Sequence, residues 1–525
     1  MYKILVSDPL EATGLAMLRD AGHDVLELPG EERHRLPELL PEYDALVVRS
    51  GTKVTADLLR AGKRLRVVGR AGIGVDNVDV DAATELGILV VNAPTANLLS
   101  AAEHTFALLL ALARNVAAAD RDIKGSEWNR KKWVGAELQG KTLGVIGFGR
   151  IGQQVARRAR AFDMKILAYD PFLSDDIVRS NNAEPMSIDE LVAAADVITL
   201  HVPMTQDTRN ILNADRIARL KPEAMLVNCA RGGVVDEVAL LAALEEGRIK
   251  GAALDVFAEE PPTDYALAQH PRVVATPHLG AQTREAQVRI STETAKMVVK
   301  ALEGSLAVTA VNLPFRPAGL AGEPYLRLAE KMGKLTRSLF DGTAQRVEVE
   351  FSGIDDELQV PMTVAVIKGA LEHHLGESVN YVNAERIAAS RGVEIVRSTA
   401  SGSASYPNLI VVRLRSADHV LEAVGTLFHN RDARIVRLCG YDLEFEPKGT
   451  LLVVRNHDVP GVVGKLGTAL GDAGVNIAAI HLSRQAGSSQ ALAVARLDQQ
   501  PEASFLDGLR ELDEVQTADL VDVGL

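Results

Sequence analysis

A chain of 525 residues, 47% hydrophobic and 24% charged, predicts about three to four domains at roughly 100 to 200 residues each, which excludes a single catalytic unit. Its 57 Lys and Arg against 70 Asp and Glu leave a formal charge of −13 without a long run of like charge. This excludes the clustered cations of a nucleic-acid binder and points to small-molecule partners. Two cysteines, Cys229 and Cys439, are too few for a disulfide framework or a thiolate zinc site, so a reducing, cytoplasmic setting without a metal is expected. Residues 1–9 lack the basic and apolar regions of a signal peptide. The most apolar stretch, 98–113, is broken by Glu103 and His104 and falls short of the ~18 residues of a membrane span.

In chain order, strands are expected at 3–7, 24–28, 45–49, 65–69 and 88–92, alternating with helical stretches. That rhythm means a parallel sheet covered by helices. A long helix over 97–115, with Asn97 as its cap, leads into the basic, aromatic segment Trp128, Asn129, Arg130, Lys131, Lys132 and Trp133. The rhythm restarts with strands at 142–146, 165–169, 196–201, 225–228, 251–256 and 273–275, a second doubly wound unit of the size a dinucleotide site needs. A helical pattern over 282–303 then runs on to a Pro- and Gly-rich linker at 315–324. Beyond it the order is α+β: helices at 325–340 and 364–375, strands at 346–351, 393–398, 410–414 and 435–445. The last 75 residues read strand 450–455, helix 461–473, strands 475–483 and 490–497, helix 503–512 and strand 515–521, a ferredoxin-like βαββαβ module.

The sharpest local signal is Gly147, Gly149 and Gly152 in GFGRIG, directly after a strand and opening a helix. Glycine is needed for the turn, for approach of a pyrophosphate to the backbone, and for close packing of helix on strand. Asp170 stands at the end of the next strand, 23 residues after Gly147. A carboxylate there accepts ribose hydroxyls and repels a 2′-phosphate, favouring NAD over NADP. Later strands end near Arg231, Glu260 and His278. Hydride transfer from an alcohol needs a base for the hydroxyl proton and a cation for the substrate's carboxylate and carbonyl, roles suited to histidine and arginine, with a carboxylate to orient the ring. Singly, each could be a surface histidine, a surface ion pair or a loop acid; their succession along one nucleotide-binding sheet favours the site.

These strings, with RAGIGVDN from Arg70, HVPMTQDTRNIL from His201, VNCARGGVVDE from Val227 and TPHLG from Thr276, together resemble the D-isomer-specific 2-hydroxyacid dehydrogenases over residues 1–312. The resemblance implies a discontinuous substrate-binding domain, 1–95 with 284–312, enclosing an NAD-binding Rossmann domain at 96–283. It also implies Arg231, Glu260 and His278 as catalytic residues. Coenzyme contacts would come from Ile73, Gly147, Gly149, Arg150, Ile151, Gly152, Asp170, Val202, Cys229, Ala230, Asp255 and Gly280. Substrate would meet Arg49, Arg70, Ile73, Gly74 and Arg231, with Arg130 and Lys132 reaching in from a neighbouring subunit.

Residues 450–525 resemble an ACT domain, a regulatory fold that binds amino acids where two copies pair, through the Asn456 to Gly461 loop and Gly474 to Ile477; Asn456, Asp458 and Asn476 would hold the effector. Some short-form relatives carry a His and an Asn where this chain has Asn456 and Asp458. A dehydrogenase followed by an intervening domain at 315–447 and an ACT domain resembles the long branch of the family, which oxidises 3-phosphoglycerate at the start of L-serine synthesis. In that branch Arg49 and Arg70 would face the phosphate. The resemblance implies feedback by L-serine, a homotetramer, and a side activity reducing 2-oxoglutarate to 2-hydroxyglutarate. Two other readings stay open: a dehydrogenase for glyoxylate or hydroxypyruvate, and an NAD-sensing interaction protein on the same scaffold.

Overall fold

The computed structural model describes residues 1–306, 309–315, 322–400, 406–485 and 487–524. Four sheets follow one another along the chain. The first is parallel, made of β1 (Lys3–Val6), β2 (Asp24–Glu27), β3 (Ala45–Val48), β4 (Val67–Arg70) and β5 (Leu89–Asn92), in the order β2-β1-β3-β4-β5. The helix Arg284–Leu302 returns to it from far along the chain. Its approach relies on glycine: a Cβ on Gly69 would lie 2.5 Å from Val298 Cγ2, and one on Gly14 would lie 2.8 Å from the Ser291 carbonyl. Asn312 then seals the return by accepting from the Val90 N–H at 2.9 Å and donating to the Ile88 carbonyl at 2.9 Å.

The second sheet is also parallel: β6 (Thr142–Ile146), β7 (Lys165–Tyr169), β8 (Glu184–Pro185), β9 (Val197–Leu200), β10 (Met225–Asn228), β11 (Gly251–Leu254) and β12 (Val273–Ala275), ordered β12-β11-β10-β9-β6-β7-β8. Both are doubly wound, as the alternating pattern predicts. The sequence gives six strands here; β8 adds a seventh of two residues, too short to leave a pattern. The helix Leu98–Ala113 starts where expected, but Asn97 makes no side-chain cap bond.

The third sheet is mixed: β13 (Arg346–Ser352), β14 (Glu394–Thr399), β15 (Leu409–Arg415), β16 (Val420–Phe428), β17 (Asp432–Leu438) and β18 (Tyr441–Phe445), ordered β14-β13-β15-β16-β17-β18. The helices Glu323–Leu339 and Asp356–Leu375 cross closely over it, with Gly333 against Val366 and Gly369 against Glu330. The structure departs most from the sequence reading here. The first of these helices begins inside the expected linker because Pro324 sits in its first turn, where proline is tolerated. The second begins eight residues before 364, since Pro361 near its start forfeits only one intrahelical bond. The expected strand 435–445 is two strands, joined through Cys439 and Gly440 at φ 51° and 82°, a two-residue hairpin loop. The strand β16 and the helix Ala384–Ser390 add to the expected elements.

The fourth sheet is antiparallel: β19 (Thr450–His457), β20 (Ile477–Arg484), β21 (Gln490–Leu497) and β22 (Val515–Asp522), ordered β20-β21-β19-β22. Leu452 and Val454 face its own helices, whereas Leu451 and Val453 join the core of the third-sheet unit. Period-two alternation thus gives β19 two buried faces. Among the described residues no helix is long and apolar enough to cross a membrane.

Candidate active site

The second sheet reverses its strand order between β6 and β9, and at such a switch point a crevice opens beyond the C-terminal ends of the strands. The chain leaves β6 through Gly147 at φ 90°, where a Cβ would lie 2.7 Å from the His201 carbonyl oxygen. Gly149 precedes the helix Arg150–Arg160 and has open space where its Cβ would stand. A Cβ on Gly152 would collide with the Gly147 carbonyl. The free N–H groups of the helix's first turn, headed by Arg150 and Ile151, are a ready diphosphate site. Asp170 accepts from the N–H of Phe148 at 2.9 Å and of Phe172 at 3.0 Å, which fixes its carboxylate beside the turn. Each oxygen retains acceptor capacity for a ribose hydroxyl, so the residues present fit NAD. Val202 follows β9, after His201, whose imidazole burial pushes down to about 3. Cys229, beyond β10, is raised by burial to about 12 and stays a thiol.

Asp255, at the end of β11, is 1% exposed. It accepts from the Thr276 hydroxyl at 2.6 Å, His104 Nε2 at 3.1 Å, and the N–H groups of Leu279 and Gly280 at 2.7 and 2.8 Å. Burial alone would raise its carboxyl, but hydrogen bonds from His104, Thr276 and Leu279 outweigh that and hold it below the ordinary range. The loop so anchored carries His278 at φ 56°, its N–H bonded to the Asp255 carbonyl at 2.8 Å. His278 Nδ1 lies 2.7 Å from Glu260 Oε2, and the other Glu260 oxygen accepts from the Phe257 N–H at 3.1 Å. With Nδ1 engaged, Nε2 is the nitrogen available to a substrate hydroxyl. Neighbouring Glu237 accepts from the Ala258 N–H at 2.6 Å; burial, and then the charge of Glu260, raise its carboxyl.

Arg231 follows β10 on a turn pinned by Asn228, which accepts from the Ala230 N–H at 3.0 Å and donates to the Arg231 carbonyl at 2.9 Å. Its Nε donates at 3.1 Å to Asp76, on the loop after β4, so this ion pair spans the two sheet units. Gly74 lies against the same guanidinium, which leaves no room for a Cβ. Asn77 donates to the carbonyls of Arg49 and Thr52 at 2.6 Å each, and Asn92 to that of Ile73 at 2.7 Å. Arg70 is partly buried. Burial, with Arg231 and Arg49 beside it, pushes its guanidinium down to about 10 against the pull of Asp76 and Asp8. The structure therefore brings Arg49, Arg70 and Arg231 to one cleft. Sequence reasoning missed its scaffold: Asp8 with Arg33 at 2.7 Å, Asp76, Asn77 and His104. Asp76 and Asn77 stood inside the quoted RAGIGVDN string and could have been weighed; Arg33 carries no local signal.

Comparison with known proteins shows the family. Residues 106–280 match the NAD-binding domain of the D-isomer-specific 2-hydroxyacid dehydrogenases, 322–439 the D-3-phosphoglycerate dehydrogenase intervening domain, and 450–513 the ACT domain. The D-3-phosphoglycerate dehydrogenase of Methanocaldococcus jannaschii is 42% identical over 527 residues, covering 100% of both chains. That of Bacillus subtilis is 38% identical, again over 100% of both. The chain belongs to the D-3-phosphoglycerate dehydrogenase family. Among solved structures, D-lactate dehydrogenase of Aquifex aeolicus, complexed with NAD and lactic acid, is 32% identical at TM-score 0.52, covering 58% of this chain and 96% of its own. The protein is an NAD-dependent oxidoreductase.

Two other groups of expected residues behave differently. Trp128 is 79% exposed, but Lys132 turns back on its own segment, 3.3 Å from Asp122 and 4.5 Å over the Trp133 ring, whose Nε1–H donates to the same carboxylate at 2.8 Å. Arg130, Lys131 and Lys132 are all exposed there. In the ACT domain, Asn456 belongs to β19 rather than to an open loop and donates to the His457 carbonyl at 2.8 Å. Asp458 pairs with Arg484 at 3.3 Å, and Asn476 donates to Asp498 at 2.6 Å. Pairing through β21 sets Asn456 level with Arg484 and Thr450 level with Ile477. Asn476 is thus at the opposite end of the sheet from Asn456 and Asp458, and one chain does not bring the three together.

Proposed function

We propose that this chain oxidises 3-phospho-D-glycerate to 3-phosphohydroxypyruvate with NAD, the first step of a phosphorylated route to L-serine. The observation that carries this reading is the convergence of Arg49, Arg70 and Arg231, together with the His278–Glu260 pair on the same coenzyme-binding unit as Arg231. A substrate with a carboxylate at one end and a phosphate at the other uses that much positive charge; a simple hydroxy acid does not. Bound NAD supplies the hydride acceptor. Arg231 holds the carboxylate and polarises the C2 oxygen, helped by the N–H groups of Ile73 and Gly74, while Arg49 and Arg70 take the phosphate through paired N–H donors. His278 Nε2 removes the C2 hydroxyl proton, and Glu260 stabilises the imidazolium through Nδ1. The cleft between the two sheet units closes to exclude water.

The proposal extends to architecture and control. Residues 1–95 with 284–312 form the substrate domain, 96–283 the coenzyme domain, 315–447 the intervening domain and 450–525 the ACT domain. L-serine acts at Asn456, Asp458 and a partner copy's Asn476 equivalent in a cytoplasmic homotetramer, and 2-oxoglutarate is a side substrate. Steady-state NADH formation tests the core claim: kcat/KM for 3-phosphoglycerate should exceed the values for lactate, glycerate and 2-hydroxyglutarate. A higher value for any unphosphorylated acid would overturn it.

A further inference from the structure

The seam between the third and fourth sheets holds a cavity of ≈ 600 Å³. Its origin lies in β19. Leu451 and Val453 face the third-sheet unit and join its core; the next residue on that face is Arg455. Apolar packing ends there, and the cavity opens. The third-sheet unit contributes Asp341 and Cys439 to the wall, and the fourth contributes Arg455, Arg510 and Asp519.

These charges are poorly matched among themselves. The Arg455 guanidinium donates to the Cys439 sulfur, yet its Nε is buried without a partner. A buried donor in that condition is rare and calls for an acceptor. Arg510 Nη2 donates to the Ala518 carbonyl at 2.7 Å and stands 3.5 Å from Asp519 Oδ1. Burial raises the Asp519 carboxyl, opposed by Arg510 and Arg455 and reinforced by the charge of Asp341. Arg455 Nε therefore lacks an acceptor, and Asp341 adds a second carboxylate beside the Arg510–Asp519 pair. A purely anionic ligand would meet Asp341 and Asp519, and a purely cationic one would meet Arg455 and Arg510. A ligand carrying both charges a few atoms apart satisfies both.

We propose that this cavity binds a free α-amino acid as its zwitterion, the carboxylate on Arg455 and the ammonium group on Asp519 and Asp341. It is separate from the Asn456 and Asp458 loop: Asn456 is the alternate residue, on the face of β19 turned to the ACT helices, and Asp458 lies beyond the strand, paired with Arg484. Because its walls come from two units, an occupant would tie the intervening domain to the ACT domain. The proposal does not depend on which hydroxy acid the active site takes.

The test is calorimetric titration of the full chain with each common L-amino acid, in the parent and in Asp458→Ala, which disables the loop. For each binder, the matching 2-hydroxy acid and the decarboxylated amine are titrated as well. At least one amino acid should bind equally in both backgrounds and lose about tenfold or more on removal of either charged group. Arg455→Ala and Asp519→Asn should each weaken it about ten- to a hundredfold while NADH formation without amino acid stays at the parental rate. If Arg455→Ala fails to fold, the isosteric Asp519→Asn carries the test. Absence of any binder, binding lost in Asp458→Ala, binding untouched in Asp519→Asn, or a hydroxy acid that binds as tightly would each overturn the proposal.

Discussion

The pair His278 and Glu260 permits one prediction to be worked through. Glu260 uses both oxygens, Oε1 for the Phe257 N–H and Oε2 for His278 Nδ1. In Glu260→Gln only one oxygen remains. If it stays on Phe257, the amide NH2 faces Nδ1 and selects the tautomer with the proton on Nε2, which cannot accept the substrate's hydroxyl proton. If it turns to His278, the Phe257 tether is lost. Either way the negative charge that stabilises the imidazolium is gone. A hydrogen bond to a charged group contributes about 1.5–3 kcal/mol, and the side chains are 49% and 36% exposed, so water screens part of it. The expected loss is therefore about 1.5–2.5 kcal/mol, or roughly ten- to seventyfold in kcat. Stopped-flow and steady-state NADH formation at saturating 3-phosphoglycerate measure it, alongside NADH affinity by fluorescence. A kcat within about twofold of the parent would refute the assignment of Glu260; so would an equal loss of NADH affinity, which would place the damage in the coenzyme crevice.

His278→Ala should leave NADH affinity nearly unchanged and abolish turnover; near-normal turnover would remove His278 from the mechanism. Arg49→Ala should raise KM for 3-phosphoglycerate more than for glycerate, whereas equal losses would mean that Arg49 only supports the loop it shares with Asn77. Gly152→Ala drives a methyl into the Gly147 carbonyl; such overpacking costs about 1–3 kcal/mol, so Tm should fall and KM for NAD should rise, and no change in either would contradict the packing. Asp255 titrates below the ordinary carboxylate range. Its contribution is therefore complete above the unfolded carboxyl's value and is lost as pH falls through the lowered one. Asp255→Asn should lower Tm at neutral pH and flatten the acid side of the Tm profile, and parallel profiles would refute this.

What the sequence made legible was local periodicity and local backbone need. The strands β6, β7, β10 and β21 end where the patterns end, because their short, continuously buried apolar runs and the turn residues that bound them are written residue by residue. The turn through Gly147 was readable for the same reason: it depends on missing side chains at fixed spacing. The split of 435–445 was not, because the two left-handed residues of that hairpin are Cys439 and Gly440 rather than the usual Asn-Gly pair. Nor was the scaffold of the cleft. The partners Asp76 with Arg231 and His104 with Asp255 are 155 and 151 residues apart, and one sequence carries no mark of such pairing. The effector residues show the opposite failure. Asn456 and Asn476 sit in recognisable strings, but strand register decides that they lie at opposite ends of one sheet.

The net charge of −13 also takes on a different meaning at the cleft. Arg49, Arg70 and Arg231 stand close enough that each disfavours the charge of Arg70, which nevertheless remains a cation at neutral pH. Asp76 and Asp8 offset part of that repulsion, but Asp8 is also engaged by Arg33, and Asp76 is 59% exposed and so is screened by water. The cleft thus sets guanidiniums against one another, and an anionic ligand is stabilised both by its own contacts and by relief of that repulsion. The relief grows with the number of negative groups delivered. On the proposed reading, a monoanionic hydroxy acid would neutralise the field around Arg231 alone, while a phosphorylated acid would reach Arg49 and Arg70 as well. Discrimination between substrates that share the same C2 chemistry would then be set on the first-sheet side of the cleft, away from His278, and substitution of the arginines there would alter substrate choice without altering the proton transfer.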